Sequence, residues 1–176
     1  MLCGSLREGS TNHAVLDTAA LLLPPDAAAL TYGDMAMLPH FNPDDDHEPL
    51  AAPVAHLRSR LDAADAVLVC TPEYAGALPG SFKNLLDWTI GGAQIYGKPV
   101  AWINAAGPAA PTGGADAHDS LRKVLGYAGA DIVDPACVRI PVLRSDVGDD
   151  GLIDDPAIRA RIAEAVSALA RHVTAA

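Results

Sequence analysis

Four short apolar runs, set between stretches whose apolar residues recur at helical spacing, constrain this chain more than anything else in it. The runs are residues 28–32, 66–71, 100–105 and 136–140. Helical stretches cover residues 12–23, 50–63, 81–90, 115–128 and 156–172. Alternation of β-branched runs with helices is how a parallel sheet covered on both faces reads in sequence. The expectation is an α/β fold, doubly wound in three layers with the sheet in the middle. The last helix has a defined start: Asp155 can accept the first free amide hydrogens, and Pro156 takes the first helical position, where its missing donor costs nothing. Its stripe of Ile158, Ile162, Val166, Leu169 and Val173 has helical spacing.

With 176 residues, half of them hydrophobic, the chain can bury one good core, and residues 1–176 read as a single domain. A net charge of −10 repels nucleic acid and anionic membrane, so neither is an expected partner. No apolar run approaches the roughly 18 residues that span a bilayer, and the first residues have no secretory h-region. Cys3, Cys70 and Cys137 form no CxxC pair, which fits a reducing, cytoplasmic setting.

Chemistry concentrates in two stretches. The first, Gly4-Ser5-Leu6-Arg7-Glu8-Gly9-Ser10-Thr11-Asn12, lies where a first strand would hand over to the first helix. Exposed amide hydrogens and the positive end of the helix dipole favour an anion there, the Ser5 and Ser10 hydroxyls can donate to its oxygens, and Arg7 can supply charge. A plain capped helix start, with Ser10 or Asn12 as N-cap, would use the same residues. Neither a G-x-x-x-x-G-K-[ST] loop nor a G-x-G-x-x-G fingerprint is present, so a mononucleotide phosphate is the better candidate.

The second stretch, Thr71-Pro72-Glu73-Tyr74-Ala75-Gly76-Ala77-Leu78-Pro79-Gly80-Ser81-Phe82-Lys83-Asn84-Leu85-Leu86-Asp87-Trp88, directly follows the run at 66–71. Pro72 and Gly76 stiffen and bend a loop at the carboxyl end of a strand, where open α/β sheets bind ligands. Pro79 and Gly80 then start a helix on which Lys83, Asp87 and Ile90 share one face and Asn84 and Trp88 the next. The same residues also read as a solvated Lys83–Asp87 pair and a core tryptophan.

Together the two stretches resemble the NADPH-dependent FMN reductase family, which includes quinone, azo-dye and chromate reductases of flavodoxin-like fold. The family's G-S-L-R-x-x-S-x-N phosphate loop is matched by residues 4–12, and its P-E-Y-x-x-x-x-P-G-x-x-K-N-x-x-D-W stretch by residues 72–88. The resemblance continues through strand and helix order to the end of the chain. It implies strand order 2-1-3-4-5, bound FMN, and hydride passing from NADPH or NADH through the flavin to a small-molecule acceptor such as a quinone, an azo compound or free flavin. By position it places the FMN phosphate on Ser5, Arg7, Ser10 and Asn12, and the isoalloxazine against Pro72, Glu73, Tyr74 and Ala75. A third loop, residues 104–114 with Gly107, would close over the flavin, although Asn104-Ala105-Ala106-Gly107-Pro108 is more apolar than the serine- and glycine-rich loop usual in the family. No catalytic acid or base is nominated, because the cofactor carries the reaction. A homodimer or homotetramer is implied, with the helix at 81–88 near an interface. The first strand is abbreviated: only Met1, Leu2 and Cys3 precede Gly4, so either the strand is stunted or the natural start lies upstream.

Two other readings use the same fold. One is a flavodoxin-like electron carrier, a class that usually flanks flavin with acidic, aromatic loops and lacks the 79–88 element. The other is a degenerate member whose short first strand abolishes flavin binding. No metal site is expected: Asp146-Val147-Gly148-Asp149-Asp150-Gly151 has the outline of a calcium loop, but Gly148 and Ala157 stand where ligands belong. His40, His47 and His56 are too irregularly spaced for a metal set. Cys70 and Cys137 read as buried strand residues, Cys3 lies beside the anion loop, and Asp44-Asp45-Asp46 reads as a solvated loop bordering the site.

Overall fold

The computed structural model describes residues 1–175. A parallel sheet carries β1 (Leu2–Cys3), β2 (Val67–Cys70), β3 (Pro99–Asn104), β4 (Asp131–Ile132) and β5 (Val138–Arg139). Their spatial order is β1-β2-β3-β4, with β5 also paired to β3. Helices α1 (Thr11–Leu21) and α5 (Pro156–Ala175) cover one face, and α2 (Ala52–Asp62), α3 (Gly80–Asp87) and α4 (Ala115–Tyr127) the other. The pleat of the strands divides the core: Val67 and Val69 join Leu57, Phe82 and Leu121 in one buried cluster, while Leu68 and Cys70 join Leu16, Ile162 and Val166 in the other. Because both faces of β2 are covered, it is apolar at every position.

All five expected helices form, each end within three residues of its expected limit. Ser10 caps α1 by accepting from the His13 N–H at 3.3 Å, and Asp155 caps α5 by accepting from the Ala157 and Ile158 N–H groups at 2.8 and 2.9 Å. Among the described residues no helix is long and apolar enough to cross a membrane.

Two of the expected strands differ. In residues 28–32 only Tyr32 pairs, in a single parallel bridge to Leu2 with its N–H on Met1 O at 3.1 Å, and residues 27–31 are exposed. The cause lies next door: β1 is two residues long, and a neighbouring strand finds too little edge to satisfy its backbone groups. The strands seen therefore run β1-β2-β3-β4, without the further strand that order 2-1-3-4-5 requires. The run at 136–140 yields only β5, because Asp134–Ala136 turns through a 3-10 helix containing Pro135 and divides the outer edge of β3 between β4 and β5. Pairing resumes past the turn, where the Ile140 N–H donates to Asn104 O at 2.8 Å and the Val142 N–H to Ala105 O at 3.2 Å.

Candidate functional site

Parallel order brings three loops side by side at the carboxyl ends of β1, β2 and β3. The first leaves β1 through Gly4, whose N–H donates to Cys70 O at 2.9 Å. A Cβ at position 4 would lie 2.0 Å from Thr71 Oγ1 and 3.0 Å from Thr71 Cα, so glycine alone lets this loop lie so close to β2. Ser5 is buried, and its Oγ accepts from the Arg7 N–H at 3.2 Å, which leaves its hydroxyl proton free to donate. The amides of Glu8, Gly9, Ser10, Thr11 and Asn12 find no protein acceptor among the described residues, and the Arg7 guanidinium makes no ion pair there. Free amides, a hydroxyl and a guanidinium at a helix N-terminus suit an oxyanion.

Two of the expected site residues also serve the scaffold. Ser10 Oγ lies 3.0 Å from His13 Nδ1, and its proton is free for a ligand when that nitrogen carries its own. Asn12 turns its carboxamide oxygen inward to accept from the Cys70 thiol at 3.3 Å, fastening the start of α1 to β2. Cys3 and Cys70 are cross-strand neighbours under the loop. Burial pushes both thiols up, so the anion loop activates neither.

In the second loop, Tyr74 and Ala77 exchange hydrogen bonds of 3.0 and 3.2 Å across Ala75 at φ 52° and Gly76 at φ 70°. Two consecutive positive φ angles make a type I′ turn, strained at the alanine. The turn holds Tyr74 53% exposed beside half-buried Pro72. Glu73 does something the sequence did not suggest: its carboxylate accepts from Thr112 Oγ1 at 2.6 Å and from the Ala117 N–H at 3.2 Å. Chiefly through the Thr112 bond, its carboxyl is held below the usual carboxylate range. The side chain is thus committed to the third loop and the start of α4, which leaves the Glu73 backbone for a ligand.

Asn104, buried at the end of β3, anchors the third loop by accepting from the Ala106 N–H at 2.9 Å and donating to Gly113 O at 2.8 Å. His118 Nδ1 donates to Gly114 O at 2.6 Å; a carbonyl can only accept, so this nitrogen carries the proton. Burial lowers the pKa of His118, outweighing that bond. Gly107 is half-buried, and a Cβ there would lie 3.6 Å from Leu143 Cδ2. One residue on, Arg144 Nη1 donates to Gly9 O at 3.4 Å. A ring of contacts results: Gly4 on Thr71, Glu73 on Thr112, Gly107 beside Leu143, and Arg144 on Gly9. Asn104 was visible in sequence only as part of the third loop. Thr112, Leu143 and Arg144 carry no motif, and their single signal is an arginine ending the apolar run before it.

The helix that follows Pro79 braces the fold. Asn84 Nδ2 and Trp88 Nε1 both donate to Pro39 O at 2.9 Å, and Asn84 Oδ1 accepts from the Phe41 N–H at 2.7 Å. Trp88 is buried and meets Phe41 edge-on, while Lys83 pairs with Asp87 at the surface. Asp46 is not the solvated residue expected: it pairs with Arg58 at 2.6 Å with both side chains 11% exposed, and Arg58 also donates to Trp88 O.

Comparison with known proteins bears on the fold and the family. The sequence model describing NADPH-dependent FMN reductases matches residues 1–141. An NAD(P)H-dependent FMN reductase of Pseudomonas aeruginosa is 31% identical over 170 residues, which cover 96% of this chain and 90% of that protein. A quinone reductase of Escherichia coli is 32% identical over 132 residues, 73% of this chain and 69% of that one. Among solved structures, FerB, a flavoenzyme NAD(P)H:(acceptor) oxidoreductase from Paracoccus denitrificans, matches with a TM-score of 0.79 at 26% identity, covering 97% of this chain and 96% of that one. The matched residues take in β1 to β5 and all three loops at their carboxyl ends, and on that ground the chain belongs to the NADPH-dependent FMN reductase family.

Proposed function

We propose that the ring of loops holds FMN, with the phosphate at Ser5, Arg7, Ser10 and Asn12 and the isoalloxazine against Pro72, Glu73, Tyr74, Ala75 and Gly107. As a member of its family, the chain is an FMN-dependent NAD(P)H oxidoreductase. One observation carries the placement: five consecutive amides, at residues 8–12, that find no protein partner among the described residues, beside the free hydroxyl of Ser5. That is the donor set a phosphomonoester needs, and the close approach of Gly4 to Thr71 sets it next to the Tyr74 turn. When bound, FMN supplies the hydride chemistry. The residues bind and orient. Arg7 adds charge, and Asn12 acts through its amide while its carboxamide locks α1 to β2. Glu73 ties the second loop to the third, and the stiff Ala75-Gly76 turn fixes Tyr74.

In the same reading the Tyr32–Leu2 bridge is the remnant of a second strand, completing order 2-1-3-4-5 in a single flavodoxin-like domain over residues 1–176. The relatives named quinone reductase support a quinone acceptor, with azo compounds and free flavin in the same class of small molecules. A cytoplasmic homodimer or homotetramer is the assembly we favour, and Tyr96 and Tyr127, 76% and 87% exposed, support a covered face beside α4.

The test is to incubate purified protein with FMN, gel-filter it, and titrate it anaerobically with NADPH or NADH. Flavin absorbance that co-elutes and bleaches supports the proposal. Co-eluting flavin that neither coenzyme reduces is the behaviour of an electron carrier and overturns the reductase reading. If no flavin is retained, the site assignment fails.

A further inference from the structure

His13 stands one position past the 4–12 motif, outside the residues proposed to hold the flavin phosphate. It lies half-buried in the first turn of α1. Ser10, the N-cap, is buried, and its Oγ makes two contacts with this one residue: it accepts from the His13 N–H at 3.3 Å and lies 3.0 Å from His13 Nδ1. The Cys3 thiol, which burial keeps protonated, borders the same hydroxyl.

A hydroxyl has one proton to give. When Nδ1 is bare it accepts that proton, and Ser10 has none left for a ligand. When Nδ1 carries a proton of its own it donates to Oγ, and the hydroxyl proton must point elsewhere. The loop offers a direction: the amides of residues 8–12 find no acceptor among the described residues and mark where an oxyanion would sit. Histidine is the side chain that ordinarily exchanges a proton between about pH 5 and 8. Charged side chains around His13 come from the loop, Arg7 and Glu8; from α1 one turn on, Asp17; and from the segments packed against them, Arg144, Asp146 and Arg159. Asp146 accepts from the Leu143 N–H, while Arg144 donates to Gly9 O and Arg159 to Ile153 O. Among the described residues none of these pairs with or hydrogen-bonds to His13, so Ser10 Oγ is the one polar partner of its Nδ1.

We infer that His13 directs the Ser10 hydroxyl proton: protonated at Nδ1, the ring turns that proton toward the flavin phosphate, and bare, it holds the proton back. His13 is thus a positioning residue that acts on the phosphate through Ser10. The inference rests on the placement of FMN proposed above. A phosphomonoester carries about −1.5 to −2 at neutral pH and favours a cation nearby, so binding FMN and protonating His13 assist each other to the same degree. The ring's contribution to FMN affinity therefore turns from favourable to unfavourable as pH rises through its titration. Riboflavin, which has no phosphate, gives His13 nothing to act on.

The test is the Kd of FMN and of riboflavin, read by flavin fluorescence at about pH 5.5 and about pH 8.5, on either side of the histidine range, in wild type, His13→Ala, Ser10→Ala and the double variant. Alanine is the best helix former, so His13→Ala keeps α1, and thermal melting checks all three variants; Ser10→Gly replaces Ser10→Ala if loss of the cap lowers Tm. The phosphate itself titrates near pH 6, at about the second pKa of a phosphomonoester, so variant and wild type are compared at one pH at a time. Wild type should bind FMN about threefold more tightly than His13→Ala at the lower pH and about threefold more weakly at the higher, each the size of one neutral hydrogen bond. The weakening at high pH decides the matter, because a bare ring opposes FMN by taking the Ser10 proton; it should vanish when Ser10 is replaced and be absent with riboflavin. Wild type no weaker than His13→Ala at the higher pH, a weakening that survives Ser10→Ala, or the same pattern with riboflavin overturns the inference. Wild type that binds no FMN at either pH overturns the FMN placement and the inference with it, whereas FMN bound without the high-pH weakening overturns the inference alone.

Discussion

The loop after β1 and the loop after β3 border the same site and are held in opposite ways. In the first, neighbours in sequence hold the donors: Ser5 takes the amide of Arg7 and Ser10 that of His13, while the long-range constraints tie its two ends to β2, through Gly4 on Cys70 and Thr71 and Asn12 on Cys70, and add a long bond from Arg144. The third has one anchor of its own, Asn104 on Ala106 and Gly113, and is otherwise fixed from outside, by Glu73 on Thr112 and Leu143 beside Gly107. A loop that builds its own anion trap is preorganised for one group. A loop set by distant side chains shifts when any of them does, which suits the part of a site that must admit two successive substrates.

Gly4 is where this difference is most vulnerable. Gly4→Val drives a branched side chain into Thr71, whose Cβ and Cα already lie 2.5 and 3.0 Å from a bare Cβ. Overpacking of this kind costs about 1–3 kcal/mol, and here it also displaces the free amides. We expect a lower Tm and no FMN retained after gel filtration. A variant that melts normally and keeps its flavin would mean that the first loop is as adjustable as the third.

The two loops should also separate by ligand. Arg7→Ala is expected to cost about 1.5–3 kcal/mol of FMN affinity, the range for a charge-assisted bond, with riboflavin binding and Tm unchanged. Fluorescence titration with the two flavins reads this directly, and a smaller loss would assign the phosphate to the amides. Asn104→Ala should give the reverse signature. It strands Gly113 O and the Ala106 N–H, costing about 1–2 kcal/mol of stability, and weakens FMN and riboflavin alike.

How much was legible in the sequence follows the same division. Helical period and capping residues recorded the five helices, and the 4–12 motif recorded a helix start whose donors are satisfied or left free by its own residues. Long-range partners left no such record. Glu73 was placed by its motif, but its side chain serves Thr112, 39 residues away, and Asn84 and Trp88 serve Pro39 from 45 and 49 residues away. Local pattern says which face of an element is buried; which loops become neighbours is decided by strand order. For the same reason residues 28–32 read as a strand and are not one: their composition suits a strand, but the partner they need is two residues long.

Acid should loosen the third loop before the first. The Glu73 carboxyl is held low chiefly by Thr112, and the His118 pKa is lowered chiefly by burial. In both cases the folded state binds the proton less readily than the unfolded chain, so the contribution is complete above the unfolded pKa and disappears as pH falls through the folded one. The His118 loss begins below its ordinary value of 6.5 and the Glu73 loss below 4.5. Tm measured against pH should fall first between about 8 and 6, where the Met1 amine, lowered from 8.0 to about 6 chiefly by burial, takes up its proton, with the His118 and Glu73 stages following at lower pH. Glu73→Gln should remove only the lowest stage, a small one because solvent screens the group. If Glu73→Gln also removed the His118 stage, the two groups would titrate as one unit.

Arg144→Ala should have the smallest effect. Its bond to Gly9 O is long and its side chain exposed, so the change in stability should fall within about 0.5 kcal/mol. Yet among the described residues Arg144 is the one side chain beyond β5 that hydrogen-bonds to the first loop, and its guanidinium stands beside residues proposed to hold a phosphate. If it only braces Gly9, the Kd for FMN should rise about two- to threefold, the size of a weak exposed contact, and that for riboflavin not at all. A loss equal to that of Arg7→Ala, again confined to FMN, would make Arg144 a phosphate ligand in its own right. The first loop would then depend on a partner more than a hundred residues away, |i−j| being 135, and would no longer be the self-contained half of the site.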